Sequence, residues 1–214
     1  MDLINELNTK AFDVLRDTFG YSSYKYEQKE IIETVLSENH TLAIMPTGAG
    51  KSLCYQIPAI ISSKKTIIIS PLISLMDDQI SALKECGVQA EKIHSDLSYS
   101  ERITSWENFK SGKAKIIYMS PERLMTEQII NELKNIDIGL FVIDEIHCVS
   151  KWGHHFRPDY NALSKLKLLF PNSNIIGFTA TADKSTRLDT VSYTHLRAHE
   201  TVLDIVCRLL LEKK

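Results

Sequence analysis

Residues 41–60 read TLAIMPTGAGKSLCYQIPAI, and the order of parts within this stretch decides the fold. An apolar run of strand type ends in a proline- and glycine-bearing loop, and a helical pattern opens at Ser52, Leu53 and Cys54. Gly48 and Gly50 permit a tight loop whose backbone amides can point at phosphate oxygens. Thr47 and Ala49 complete that loop, Lys51 can neutralise the β and γ phosphates of a nucleotide, and the Ser52 hydroxyl can ligate magnesium. The strict phosphate-loop pattern asks for glycine where Met45 stands. A chance glycine turn before a helix is the alternative, and the strand and helix on either side disfavour it.

Four further runs resemble the first. Residues 66–70, 115–120, 139–144 and 174–179 are short, apolar and rich in Ile and Val, with longer helix-like stretches between them. Strands buried on both faces read this way because helices cover the sheet on each side, so the alternation predicts an α/β fold with a mainly parallel sheet. Each run ends in small, polar or proline-containing residues, and ligands of such sheets bind beyond the carboxyl ends of the strands.

The run 140–150, LFVIDEIHCVS, delivers the second group of chemistry. Asp144 at a strand end can hold magnesium through its water shell, and Glu145 can orient and deprotonate a water attacking the γ phosphate. Two adjacent acids seen alone are more often a solvated turn; the phosphate loop upstream shifts the balance towards catalysis. A lone His147 is usually structural, yet its spacing from the acids suits a coupling role. ATP and magnesium are the implied ligands.

The 214 residues are 43% hydrophobic and 24% charged, enough apolar content for one globular domain with a real core. A formal charge of -2, from 25 basic against 27 acidic residues, gives no general nucleic-acid footprint, so any DNA contact must be local. The four cysteines are scattered without close pairs, which argues against a disulfide framework. With neither a signal-peptide pattern at the start nor an apolar stretch long enough to span a bilayer, the expected location is cytoplasmic.

Together these motifs resemble superfamily-two helicases of the DExH type, and the residues between them narrow the resemblance to the RecQ family of ATP-dependent DNA helicases. FGYSSYKYEQKEII at 19–32 is similar to the family's adenine-recognition motif, which implies that Tyr21 stacks on the base and Gln28 hydrogen-bonds its edge. Lys25 stands where arginine is usual and lacks the planar fork of a guanidinium. MPTGAGKSLCYQIPA, SPLISLMDDQ, MSPERL and GFTATAD follow in the family's order, and a residue other than glycine at Met45 is common in helicase phosphate loops. The resemblance implies a RecA-like nucleotide-binding domain over residues 1–190.

VSKWGHHFRPDY at 149–160 resembles the RecQ aromatic-rich loop. The resemblance implies that Trp152, Phe156 and Arg157 meet single-stranded DNA, where stacking is worth about 1–3 kcal/mol per base. By composition alone a buried aromatic cluster around Pro158 is the commoner outcome. Lys151, His155 and Ile146 stand where glutamine, aspartate and alanine are usual, departures that bear on coupling rather than on nucleotide binding. Ser70-Pro71-Leu72 and Ser120-Pro121-Glu122-Arg123 could present hydroxyls and amides to a DNA backbone, although the latter also reads as a plain helix start. Thr179-Ala180-Thr181 could link nucleotide state to domain closure.

The segment 191–214, VSYTHLRAHETVLDIVCRLLLEKK, resembles one reading frame of a transposase-type sequencing adapter. A real amphipathic terminal helix is the alternative, since Leu203, Val206, Leu209 and Leu210 have helical spacing. As an adapter scar the segment lies outside fold reasoning, and His195, His199 and Cys207 carry no metal-site meaning.

The expectation is therefore the first half of a 3′-to-5′ DNA-unwinding motor acting on single-stranded and partly duplex DNA in recombination and repair. The second RecA-like domain, with its arginine finger, is expected elsewhere in the parent protein. Two other classes compete: a related superfamily-two RNA helicase or DNA translocase, and a non-catalytic ATP- and DNA-binding module. Competition between nucleic acids separates the first, and turnover separates the second.

Overall fold

The computed structural model describes residues 2–149 and 158–180. The chain runs α1 (Asp2–Asp17), α2 (Gln28–Leu36), β1 (Thr41–Ile44), α3 (Leu53–Ile61), β2 (Lys65–Ile69), α4 (Ile73–Glu85), β3 (Ala90–Ile93) and α5 (Tyr99–Lys110). It continues through β4 (Ile116–Met119), α6 (Pro121–Leu124), α7 (Glu127–Leu133), β5 (Ile138–Ile143), a 3-10 turn (Ile146–Val149), α8 (Pro158–Asn161), α9 (Leu166–Leu169) and β6 (Asn174–Thr179). The six strands form one sheet in the order β1-β6-β5-β2-β4-β3, and every neighbouring pair is parallel. This is the α/β P-loop architecture expected from the alternating runs.

The strands pair where their apolar runs align. Ile67, Ile68 and Ile69 of β2 face Phe141, Val142 and Ile143 of β5 on one side and Ile117, Tyr118 and Met119 of β4 on the other. Successive side chains then enter opposite layers. Ile67, Ile69, Phe141 and Ile143 pack with Phe109, Leu133 and Phe170 on one face, while Ile68, Tyr118 and Val142 pack with Leu15, Ile32, Ile57 and Met76 on the other.

The expected strands are all present, and β3 is an addition. Its sequence AEKI alternates, with Ala90 and Ile93 buried and Glu91 and Lys92 only partly so, because it is an edge strand. An edge carries polar side chains that a search for continuous apolar runs passes over. The start of α6 is the helix start that Pro121 suggested, with Pro in its first turn.

The carboxyl ends of β1, β6 and β5 lie side by side and place residues 45–52, 179 and 144–147 at one edge of the sheet. Among the described residues no helix is long and apolar enough to cross a membrane. Segment 191–214 and residues Trp152, Phe156 and Arg157 lie outside the described residues.

Candidate nucleotide site

Met45 explains why a non-glycine residue is tolerated at the head of the loop. Its amide donates to the Thr179 carbonyl at 3.0 Å, continuing the β1–β6 ladder, and its side chain is 1% exposed in the core. The residue thus belongs to the sheet rather than to the phosphate cradle. Pro46, Thr47 and Gly48 form the exposed tip, Ala49 turns back into the protein, and the chain enters α3 after Ser52. Gly48 and Gly50 have φ values of 81° and 76°, a region that side chains rarely tolerate. At Gly50 a Cβ would also stand 2.5 Å from Gln28 Nε2, so both backbone and space require glycine there. The Ser52 hydroxyl makes no helix-capping bond, which leaves it available to a ligand at the same end.

Gln28 is 2% exposed and clasps this loop. Its Nε2 donates to the carbonyls of Ala49 and Gly50, both at 3.2 Å, and its Oε1 accepts from the Lys25 amide at 2.8 Å. Lys25 and Gln28 are therefore held together beside the phosphate loop. The Lys25 ammonium lies 5.7 Å from the centroid of the Tyr21 ring, a cation–π contact, and that ring is 44% exposed. A base edge reaching Gln28 would have to share an amide already engaged with backbone.

Across from the loop, β5 turns sharply at Asp144 and Glu145. Glu145 has a φ of 50°, a left-handed conformation that costs a non-glycine residue about 1–2 kcal/mol. Its amide donates to Asp144 Oδ1 at 3.0 Å and its carbonyl accepts from Cys148 at 2.9 Å, which hold the turn. The Tyr160 hydroxyl, wholly buried, donates to the Asp144 carbonyl at 3.0 Å from beneath.

The Glu145 carboxylate then meets Lys51 Nζ at 3.2 Å and His147 Nδ1 at 3.2 Å. His147 Nδ1 also lies 3.0 Å from Thr179 Oγ1 at the end of β6. One chain of polar contacts thus joins the phosphate loop, the acids and the Thr179 segment.

Charges follow from this packing. Burial, reinforced by the neighbouring Glu145 charge, pushes Asp144 up to about 6. The hydrogen bond from His147, together with the Lys51 charge, holds Glu145 below the ordinary glutamate range against desolvation. Hydrogen bonding to Cys148 and Glu145 raises His147 to about 9.

A buried carboxylate whose ionised form is disfavoured gains from a cation beside it. Magnesium fits this donor set: it is commonly held by one or two protein oxygens plus substrate phosphates and waters rather than by an all-protein cage. Among the described residues no group of three or more His, Cys, Asp or Glu could hold a metal by itself.

Ile146 is accommodated by a glycine on the adjoining strand. It is 1% exposed, and a Cβ on Gly177 would stand 2.4 Å from Ile146 Cδ1 and 3.3 Å from Cγ2. The larger residue in the acid turn and the missing side chain on β6 fit as a pair. Tyr160 and this pairing were not singled out from sequence. The contacts run between residues far apart in the chain, and only the fold brings them together.

Fold and strand-edge geometry together define a P-loop α/β domain. The family model described as DEAD/DEAH box helicase matches residues 25–189, and the chain belongs to that family. It is 42% identical over 192 residues to the ATP-dependent DNA helicase RecQ of Pasteurella multocida, a match covering 90% of this chain and 30% of that protein. Against the probable ATP-dependent DNA helicase RecS of Bacillus subtilis it is 42% identical over 190 residues, covering 88% of this chain and 38% of the relative. The structure resembles that of a hypothetical ATP-dependent RNA helicase from Sulfolobus tokodaii, with a TM-score of 0.64 at 20% identity, over 88% of this chain and 54% of the other. The chain thus spans about a third of the length of these curated relatives.

Proposed function

We propose that this chain is the ATP-binding first half of a RecQ-type 3′-to-5′ DNA helicase, acting in the cytoplasm in recombination and repair. The observation that carries the reading is the meeting of Lys51, Glu145, His147 and Thr179 at the ends of three adjacent strands. Lys51 stands ready for the β and γ phosphates, with the loop amides around Thr47, Gly48, Ala49 and Gly50 cradling them. Ser52 and Asp144 would hold magnesium, which when bound offsets phosphate charge and polarises the γ phosphoryl group.

Glu145 is placed to orient the attacking water and accept its proton. Its pairing with Lys51 gives way when phosphate takes the ammonium, which frees the carboxylate for that role. His147, bridging Glu145 and Thr179, reports the state of the site to the end of β6. Tyr21, Lys25 and Gln28 serve the adenine, Gln28 in part through its grip on the loop. Trp152, Phe156 and Arg157 supply the single-stranded DNA contact.

Turnover requires charge stabilisation from a second RecA-like domain; an arginine finger is worth roughly 10³–10⁵ in rate in related phosphoryl-transfer systems. The 214-residue chain is therefore expected to bind ATP and hydrolyse it slowly, with little stimulation by DNA. Steady-state phosphate release with and without single-stranded DNA checks this, with Glu145→Gln as the blank. RNA competing as well as DNA for the chain would favour the RNA-helicase alternative. Robust DNA-stimulated turnover by the chain alone would overturn the two-domain account.

A further inference from the structure

Inside the layer beneath α1–α4 lies a set of polar side chains that the site described above does not use. Gln56, on α3 just past the phosphate loop, is 4% exposed. Its Nε2 donates to Gln79 Oε1 on α4 at 2.9 Å and to the Tyr118 hydroxyl on β4 at 3.1 Å. Tyr118 and Tyr55 are 1% and 3% exposed. Tyr55 packs edge-on against Phe178 of β6, with ring centroids 5.3 Å apart.

Burying an amide and a hydroxyl is unfavourable unless each finds a partner, and here Gln56 and Tyr118 find one another. Stability alone would be served as well by leucine and phenylalanine, as it is on the opposite face. The chain of bonds instead joins elements with different duties. Helix α3 packs mainly against α1 and α2, so the Gln56–Gln79 bond is a bridge to α4. That helix follows Ser70-Pro71-Leu72 at the end of β2, whereas α3 follows the phosphate loop.

We propose that Gln56 is a positioning residue that couples the phosphate-loop helix to α4, so that DNA bound at the β2 end and nucleotide bound at the β1 end alter each other's affinity. This rests on the helicase reading, which places residues 70–72 along the DNA backbone. A displacement of α4 acts on Gln56 through Gln79, and from there on α3 and the phosphate loop at its head. By thermodynamic linkage the effect of each ligand on the other is one and the same factor.

The test uses the 214-residue chain, a fluorescent ATP analogue with magnesium, and an oligothymidylate. Nucleotide affinity is measured with and without saturating oligothymidylate, in the wild type and in Gln56→Leu/Gln79→Leu. Replacing both amides avoids leaving one unpaired. Coupling in the wild type is expected within the usual range of roughly 5–150-fold. In the double variant the factor should fall to near one, with the affinity for each ligand alone changed by less than about threefold. Tyr118→Phe, which removes a single oxygen and keeps the ring, should lower the factor partly and serves if the double variant fails to fold. A merely structural role would lower the melting temperature and leave the factor unchanged; that result in a folded variant overturns the proposal. A wild type that binds oligothymidylate with no change in nucleotide affinity also overturns it, while the DNA reading stands. A wild type that binds no oligothymidylate removes the DNA reading and the proposal together.

Discussion

The two layers flanking the sheet differ in what their polar atoms do. Under α5 to α9, Ile67, Ile69, Ile117, Phe141 and Ile143 meet Phe109, Leu133, Leu166 and Phe170. The Trp106 indole donates to Glu132, and Tyr160 donates to the Asp144 carbonyl. Under α1 to α4, Gln28, Gln56 and Tyr118 are sunk within the apolar packing, Gln28 joined to the phosphate loop and Gln56 to Tyr118. The first layer braces the acid turn through Tyr160 and Ile146, and the second grips the phosphate loop through Gln28. Mutations remote from these contacts should therefore separate stability from ligand binding.

The largest effect should come from the first layer and leave binding alone. Phe109 is completely buried on α5, remote from the strand ends. Phe109→Ala is expected to lower stability by about 3–5 kcal/mol in urea denaturation. Nucleotide affinity of the folded chain should stay unchanged. A parallel loss of affinity would show that stability and binding do not separate there.

A smaller and more diagnostic effect is expected where the acid turn sits on β6. Gly177→Ala forces a methyl group against Ile146 and should cost about 1–3 kcal/mol, with weakened magnesium-dependent nucleotide binding because the turn carrying Glu145 and His147 must shift. Combining it with Ile146→Ala makes room and should restore binding in part. Additive losses in the double variant would contradict the pairing.

Gln28→Ala sharpens the second half of the comparison. Its amide grips the carbonyls of Ala49 and Gly50, so its loss should loosen the loop for every nucleotide. Affinity should fall by about tenfold, or ~1.4 kcal/mol, for GTP, and further for ATP, which also loses the contact to its base. A loss confined to ATP would mean that Gln28 acts on the base and not through the loop.

How much of this was legible in the sequence depends on range. The apolar runs of β1, β2, β4, β5 and β6 announce buried parallel strands, whereas Glu91 and Lys92 hide the edge strand β3. The phosphate loop and the acids are local patterns whose chemistry is fixed by residue type and order. The clasp of Gln28 on Gly50, the Lys51–Glu145 pair and the Gln56 bridge connect positions 22, 94 and 23 residues apart. No periodicity encodes such contacts; the strand order creates them.

The central claim is that nucleotide binds where Lys51 meets the acids of β5. Lys51 is only partly exposed and pairs with Glu145, so Lys51→Ala both removes the phosphate's cation and leaves that carboxylate facing the phosphates. Titration of the chain with a fluorescent ATP analogue and magnesium tests this directly. The account predicts a loss of roughly 10- to 150-fold in affinity for Lys51→Ala, the scale of a charge-assisted hydrogen bond, with partial recovery in Lys51→Ala/Glu145→Gln. Unchanged affinity in a folded Lys51→Ala chain would place the nucleotide elsewhere and contradict the account.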